Sequence, residues 1–321
     1  AANQEISIIQ DMVVADLNVT AGGYSFSGAR VAVLGDATLK PGAGAVTFNG
    51  QLVVQGNLTT EGDGEVSLLG ATHIVGDATF SSLTTTIAED MTVGGKLTVT
   101  SENLSISGNV TAEEMAFVVN SDAAPVRVSG NLTVGTEDDD VGLITIDGTA
   151  EQHYTGTVTA KDLTVKGEDV YFSRLQVGSL TVDKDATVHV QTSSGSVAVS
   201  SSVIPEIYLS GTLALDASGG ATYNHKYDVY VQDDAARLVF GSGCTIDNLQ
   251  LFGKQDASGY TNVEIDVESS SATVTKMQDL GNLKVDTGSL TVKNASGAVH
   301  GALILDNAKL KLGAKSGNIM A

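Results

Sequence analysis

Tryptophan is absent from this chain of 321 residues, proline occurs three times, cysteine once, and aromatic residues make up 5% of the total. A core built on large aromatic rings is therefore excluded, and Val, Leu, Ile and Ala must supply it. The single Cys244 rules out an intramolecular disulfide framework without fixing the compartment. Basic residues are also scarce, 17 against 38 acidic, for a net charge of −21. Nucleic acid is an unsuitable partner for such a chain, because phosphate binding needs a Lys/Arg footprint. An anionic membrane surface is disfavoured for the same reason. No run of about 18 apolar residues occurs, so no transmembrane helix is expected. Sustained apolar spacing at i, i+3, i+4 and i+7 is missing too, and little helix is predicted.

What the chain does have is 42% apolar residues and 36 glycines. Small β-branched side chains suit stacked strands, and glycine suits the turns between them. One five-residue phrase keeps returning: GDATL (35–39), GNLTT (56–60), GDATF (76–80), GKLTV (95–99), GNVTA (108–112), GNLTV (130–134), GTVTA (156–160) and GSLTV (178–182). GTLAL (211–215), GNLKV (281–285) and a second GSLTV (288–292) follow. Successive starts through position 178 lie 21, 20, 19, 13, 22, 26 and 22 residues apart, a repeat of about 20 with irregular turns. Within each phrase polarity alternates with period two, as in Lys96-Leu97-Thr98-Val99-Thr100, which places Leu97 and Val99 on one face and the threonines on the other.

Two or three short strands per 20 residues, with Gly-Asn or Gly-Asp at the corners, match one coil of a single elongated parallel β-solenoid. The glycine opening each phrase is expected where a Cβ would clash or where φ is positive. The alternative is a tandem of antiparallel β-sandwich domains. Those usually carry a buried Trp and closer strand spacing, so the solenoid is preferred.

In this repeat the chain resembles the passenger regions of bacterial autotransporters and related surface adhesins, which are right-handed parallel β-helices. The segment ITIDGTAEQHYTG (144–156) followed by AKDLTV (160–165) is similar to repeats of large secreted bacterial surface proteins. The likeness covers 16–215 and 281–305. No C-terminal membrane barrel follows the last strands, GALILDNAKLKLG. The chain opens AANQE without an initiator Met, as after removal of a signal peptide, and an extracellular or cell-surface location is expected.

Regular coils are expected over 1–215 and 281–321, with irregular Tyr-rich coils or an insertion at 216–280. Four of the eight tyrosines fall in that middle segment. Tyr223, His225, Lys226, Tyr227, Tyr230 and Arg237 are the candidate ligand-recognition residues, because Tyr and Arg concentrate interface energy. A host or matrix glycan or protein, or other copies of the chain, would be the partner.

Catalytic constellations are not assembled in the sequence. The doublet Asp233-Asp234 resembles that of pectin-degrading β-helix hydrolases, but the Asn-Thr-Asp, Gly-His-Gly and Arg-x-Lys elements are missing, and it reads as a solvated turn. Lyase chemistry would need a base such as Lys226 or His225, and nothing in the spacing requires that role. The acidic runs 61–65 and 137–140 offer oxygen ligands to Ca²⁺, yet match neither the EF-hand loop nor the glycine-rich calcium repeat; no cofactor is expected. His73, His153, His189, His225 and His300 are too far apart for metal-ligand spacing. Of the Asn-x-Ser/Thr sequons at Asn18, Asn57, Asn103, Asn109, Asn131 and Asn294, several are by-products of the phrase.

The expectation is a non-catalytic β-helical structural or adhesion protein of a prokaryote. The alternatives are a self-assembling filament or surface-layer subunit, whose Leu303-Ile304-Leu305 and Leu310-Lys311-Leu312 strands offer edges for pairing, and a polysaccharide lyase or hydrolase on the same fold.

Overall fold

A computed structural model describes residues 4–120, 125–135, 142–192, 198–199, 202–217, 221–223, 226–241, 245–246, 248–268, 272–294 and 299–312. The described residues are all-β and form a parallel β-solenoid with coils of about 20 residues. Among the described strand pairings the only antiparallel one is the hairpin Gln255–Asp256 with Gly259–Tyr260. The chain divides into two compact units, Ala1–Lys161 and Asp162–Ala321.

In the first unit each coil contributes three short strands to three stacks. One stack runs through Gln4–Ile8, Tyr24–Gly28 and Ala45–Phe48. A second contains Met12–Val14, Val31–Val33, Leu52–Val54 and Thr72–Ile74. The third contains Leu17–Val19, Ala37–Leu39 and the start of Leu58–Leu68. The three-residue strands follow from the sequence pattern. In Ala37-Thr38-Leu39 the outer two side chains are buried and the threonine between them points outward. Register then repeats this parity from coil to coil. Val33, Val54, Ile74 and Val93 lie one above another in the core, and Thr38, Thr59, Thr79 and Thr98 form an outward column. Two of the few aromatics stack inside, Phe26 on Phe48 with centroids 4.5 Å apart.

The phrase glycines turn corners, and at nine of the eleven a Cβ would clash with the neighbouring coil. Only Gly288 among them has positive φ, 58°. A Cβ on Gly56 would lie 2.3 Å from Asp36 Oδ1, and one on Gly76 would lie 2.5 Å from Asn57 Oδ1. Those oxygens are there for a reason. An Asx residue at each of these corners accepts a hydrogen bond from the backbone N–H of the equivalent residue in the next coil: Asp36 N to Asp16 (3.1 Å), Asn57 N to Asp36 (2.7 Å), Asp77 N to Asn57 (2.9 Å) and Lys96 N to Asp77 (2.8 Å). A side chain thus satisfies backbone donors that the turn leaves outside the strand ladder.

The short interval of 13 residues between Gly95 and Gly108 now has a cause. The phrases at 35, 56, 76 and 95 enter the third stack, whereas those at 108, 130 and 156 enter the second. At that point the Asx ladder moves to the preceding corner, where Asn109, Asn131 and Thr157 donate backbone N–H groups to Asp90, Asn109 and Asn131 at 2.9, 3.0 and 2.8 Å. The sequon residues Asn57, Asn109 and Asn131 therefore spend their amide oxygens inside the corners.

Not every threonine faces out. Where Leu58–Leu68 and Ala78–Ile87 run unbroken round a corner, Thr60, Ser82, Thr85 and Ser101 are buried. Their hydroxyls link in a chain of 3.2, 3.0 and 2.7 Å.

The second unit also stacks parallel strands. One wall comprises Thr187–Thr192, Thr212–Ala217, Arg237–Phe240, Val263–Val267, Leu283–Asp286 and Leu303–Asp306. A second comprises the end of Asp169–Val182, then Glu206–Leu209, Tyr227–Val231, Leu249–Phe252 and Ala272–Gln278. A third Asx ladder runs through Asp234, Asn262 and Asn282, accepting from Asn262 N, Asn282 N and Ala302 N at 2.8, 2.6 and 2.7 Å. Segment 216–280 thus carries on the parallel stacks and adds the hairpin at 255–260. On the Leu303–Asp306 strand, Ile304 and Leu305 are each 46% exposed.

Candidate recognition surface

The second wall of this unit carries an outward column of aromatic rings. In Glu206–Leu209 the buried residues are Ile207 and Leu209, so Glu206 and Tyr208 point out. The same parity in Tyr227–Val231 buries Tyr227, Val229 and Val231 and turns Asp228 and Tyr230 outward. In Leu249–Phe252 it turns out Gln250 and Phe252. Register sets Tyr208 against Tyr230 and Tyr230 against Phe252. The rings stack, with centroids 5.3 Å apart at each step and planes inclined by 18° and 19°. Lys276 ends the column, its Nζ 4.8 Å from the Phe252 centroid, a cation–π contact.

Beside the rings runs a polar column in register, Glu206, Asp228, Gln250 and Lys276. Tyr208 donates its hydroxyl to Glu206 at 2.9 Å, and that carboxylate pushes the phenol above its ordinary pKa. Lys226 donates to Asp228 Oδ2 at 2.6 Å, which holds the ammonium above its usual value. Asp228 Oδ1 is buried and has no hydrogen-bond partner among the described residues.

No known protein family, curated protein or solved structure matches the chain.

Of the residues singled out by sequence, Lys226 and Tyr230 meet on this wall. Tyr227 does not: it is 1% exposed, faces the core and donates its hydroxyl to the Ser202 carbonyl at 3.2 Å. Its ring is thereby removed from any ligand, because three positions separate it from Tyr230 and an odd interval in a strand reverses the face. Arg237 lies on the other wall, where its guanidinium donates to Asp266 at 2.9 Å and its Nε lies 3.6 Å from Glu264. Tyr223 ends the strand Ala221–Tyr223, but its side chain, like all of His225, lies outside the described residues.

Tyr208, Phe252 and Lys276 were not among the residues picked from sequence. Their signal was present: Tyr208, Tyr230 and Phe252 follow one another at equal intervals of 22 residues, each ending an acidic or amide–apolar–aromatic run of the kind Glu-Ile-Tyr, Asp-Val-Tyr and Gln-Leu-Phe.

A polar cleft lies beside the hairpin, lined by Lys184, Asp233, Asp234, Asp256 and Tyr260. Its carboxylates already serve the backbone. Asp233 accepts from Ala235 N at 2.9 Å, Asp234 holds the corner ladder, and Asp256 accepts from Ser258, which keeps its carboxyl below the usual range. The doublet is thus a structural turn. Tyr260 stacks on His300 at 3.7 Å, and His300 lies 3.2 Å from Asp279.

Among the described residues no group of three or more His, Cys, Asp or Glu side chains is arranged to hold a metal ion. Glu61 pairs with Lys40 and Glu65 accepts from Ser67. The run at 137–140 and Cys244 lie outside the described residues.

Proposed function

We propose that the chain is a non-catalytic structural and adhesion element exposed on or outside a prokaryotic cell, and that it works by docking a protein surface against the Tyr208–Tyr230–Phe252 wall. The observation that carries this reading is the outward aromatic column with a polar column beside it. Aromatic side chains with a hydroxyl or a neighbouring charge are the residues in which contact energy concentrates. Protein suits the wall better than sugar. A pyranose stacks on the face of a ring, and here the ring faces other than the outer one of Tyr208 are covered by the next ring or by Lys276, leaving mainly edges and hydroxyls to a partner.

The test is a binding screen of the purified chain against matrix proteins and glycans, repeated with Tyr230→Ala. Binding of a protein that falls in the folded variant supports the reading. Turnover of a polysaccharide at an enzymatic rate would replace it with the lyase or hydrolase alternative.

A further inference from the structure

The two columns of this wall are self-complementary, and we infer that the partner they fit is a second copy of the chain, packed wall to wall with its coils running in the opposite direction. The inference rests on reading the wall as a docking surface.

In a two-fold symmetric interface the same patch meets itself, so residue i contacts j and j contacts i. The polar column reads Glu206, Asp228, Gln250, Lys276 from one coil to the next. Turned about a two-fold axis that lies between the two walls, parallel to the strands and level with the gap between Asp228 and Gln250, it reads in reverse. Glu206 then faces Lys276 of the second copy, and Lys276 faces Glu206, so the acid at one end and the ammonium at the other are paired twice. Asp228 and Gln250, register neighbours at the centre of the column, then lie opposite one another across the interface. In the second column Tyr230 faces Phe252, and Tyr208 faces Gln278, whose register partner is Phe252. The reverse orientation, with coils running the same way, would set Glu206 on Glu206 and Lys276 on Lys276, a like-charge arrangement that disfavours it.

Charge supports the same partner. A chain of net charge −21 repels its own copies. On this wall, however, Lys226 and Lys276 stand among the carboxylates Glu206, Asp228, Asp162 and Asp279, and the rings at its centre are uncharged. Two copies approaching here each bring ammonium groups to the other's carboxylates. Face-to-face sheets pack about 10 Å apart, a distance that side chains from both walls fill by interdigitation.

Charge reversal gives a test that a merely structural role would not pass. Sedimentation velocity of the full chain over a wide range of concentrations should show a reversible dimer. Glu206→Lys alone and Lys276→Glu alone should each weaken it by about tenfold, by setting like charges opposite one another. The double variant, which restores opposite charges across the interface, should recover most of the wild-type affinity. Tyr230→Ala should weaken dimerisation by about tenfold or more with an unchanged circular dichroism spectrum. A wild-type chain that stays monomeric throughout, or a dimer that the double variant fails to rescue, overturns the inference. If that monomer still captures a matrix protein through Tyr230, the docking surface stands and only its partner changes; if the Glu206, Lys276 and Tyr230 substitutions alter neither association nor capture, both fall.

Discussion

Oδ1 of Asp36 accepts two hydrogen bonds from Asn57 in the coil above, from its backbone nitrogen at 2.7 Å and from its side-chain amide at 3.3 Å. The contact repeats upward when Asn57 Oδ1 accepts from Asp77 N. One side-chain oxygen per coil thus ties each corner to the next, and a glycine beside it keeps the space clear.

Adding a methyl group at that corner should be costly. Gly56→Ala would press a Cβ to 2.3 Å from Asp36 Oδ1 and 2.7 Å from the Gly35 carbonyl oxygen, and is expected to destabilise the fold by about 1–3 kcal/mol, the usual cost of overpacking. Asn57→Ala removes one backbone acceptor at an exposed corner and should cost about 1 kcal/mol. Urea unfolding measures both, and Gly56→Ala should be the worse of the two.

The buried hydroxyl chain makes a second prediction. Thr85 bridges Ser82 and Ser101 at 3.0 and 2.7 Å. Thr85→Val keeps the shape and removes the bridge, leaving buried hydroxyls short of a partner at about 1–3 kcal/mol. An unchanged denaturation midpoint would show that the neighbouring carbonyls satisfy Ser82 and Ser101 by themselves.

Thr287 has a β-branched side chain at φ 55°, a left-handed conformation that such residues rarely adopt. Its hydroxyl is anchored to Asp266 at 2.8 Å and to the Val267 carbonyl at 3.1 Å. Thr287→Val loses the anchor and keeps the strain, and should destabilise by about 1–3 kcal/mol. Thr287→Gly loses the anchor but relieves strain of about 1–3 kcal/mol, so the two effects should nearly cancel. Thermal melts of the pair check the difference; equal losses would mean the backbone stores no strain.

Tyr154 is fully buried and donates to Gln152 at 2.9 Å, and burial pushes its phenol well above the ordinary value. A raised folded pKa favours the folded state below the ordinary tyrosine pKa, and that contribution is lost as pH climbs beyond it. In an alkaline titration followed by ultraviolet absorbance, Tyr154 should ionise only as the fold is lost. Tyr154→Phe should delete that late step and lower stability near neutral pH, because Gln152 Oε1 is left buried without this donor.

Much of this architecture is written in local pattern. Apolar–threonine–apolar triplets dictate that two side chains go in and one comes out, whichever wall they join. A repeat near 20 residues with no helical period leaves parallel coils as the way to bury every triplet. Even the opposite fates of Tyr227 and Tyr230 are implied by their odd separation and by Val229 and Val231, which fix the inward parity. Which wall a phrase joins was decided only by stacking, because GKLTV and GNVTA are alike as sequences and differ in the corner they follow. The Asx ladders, the hydroxyl chain through Thr85 and the Tyr208–Tyr230–Phe252 column likewise arise between coils, from residues about 20 positions apart. Their partners are set by parallel register, and register belongs to the assembled stack.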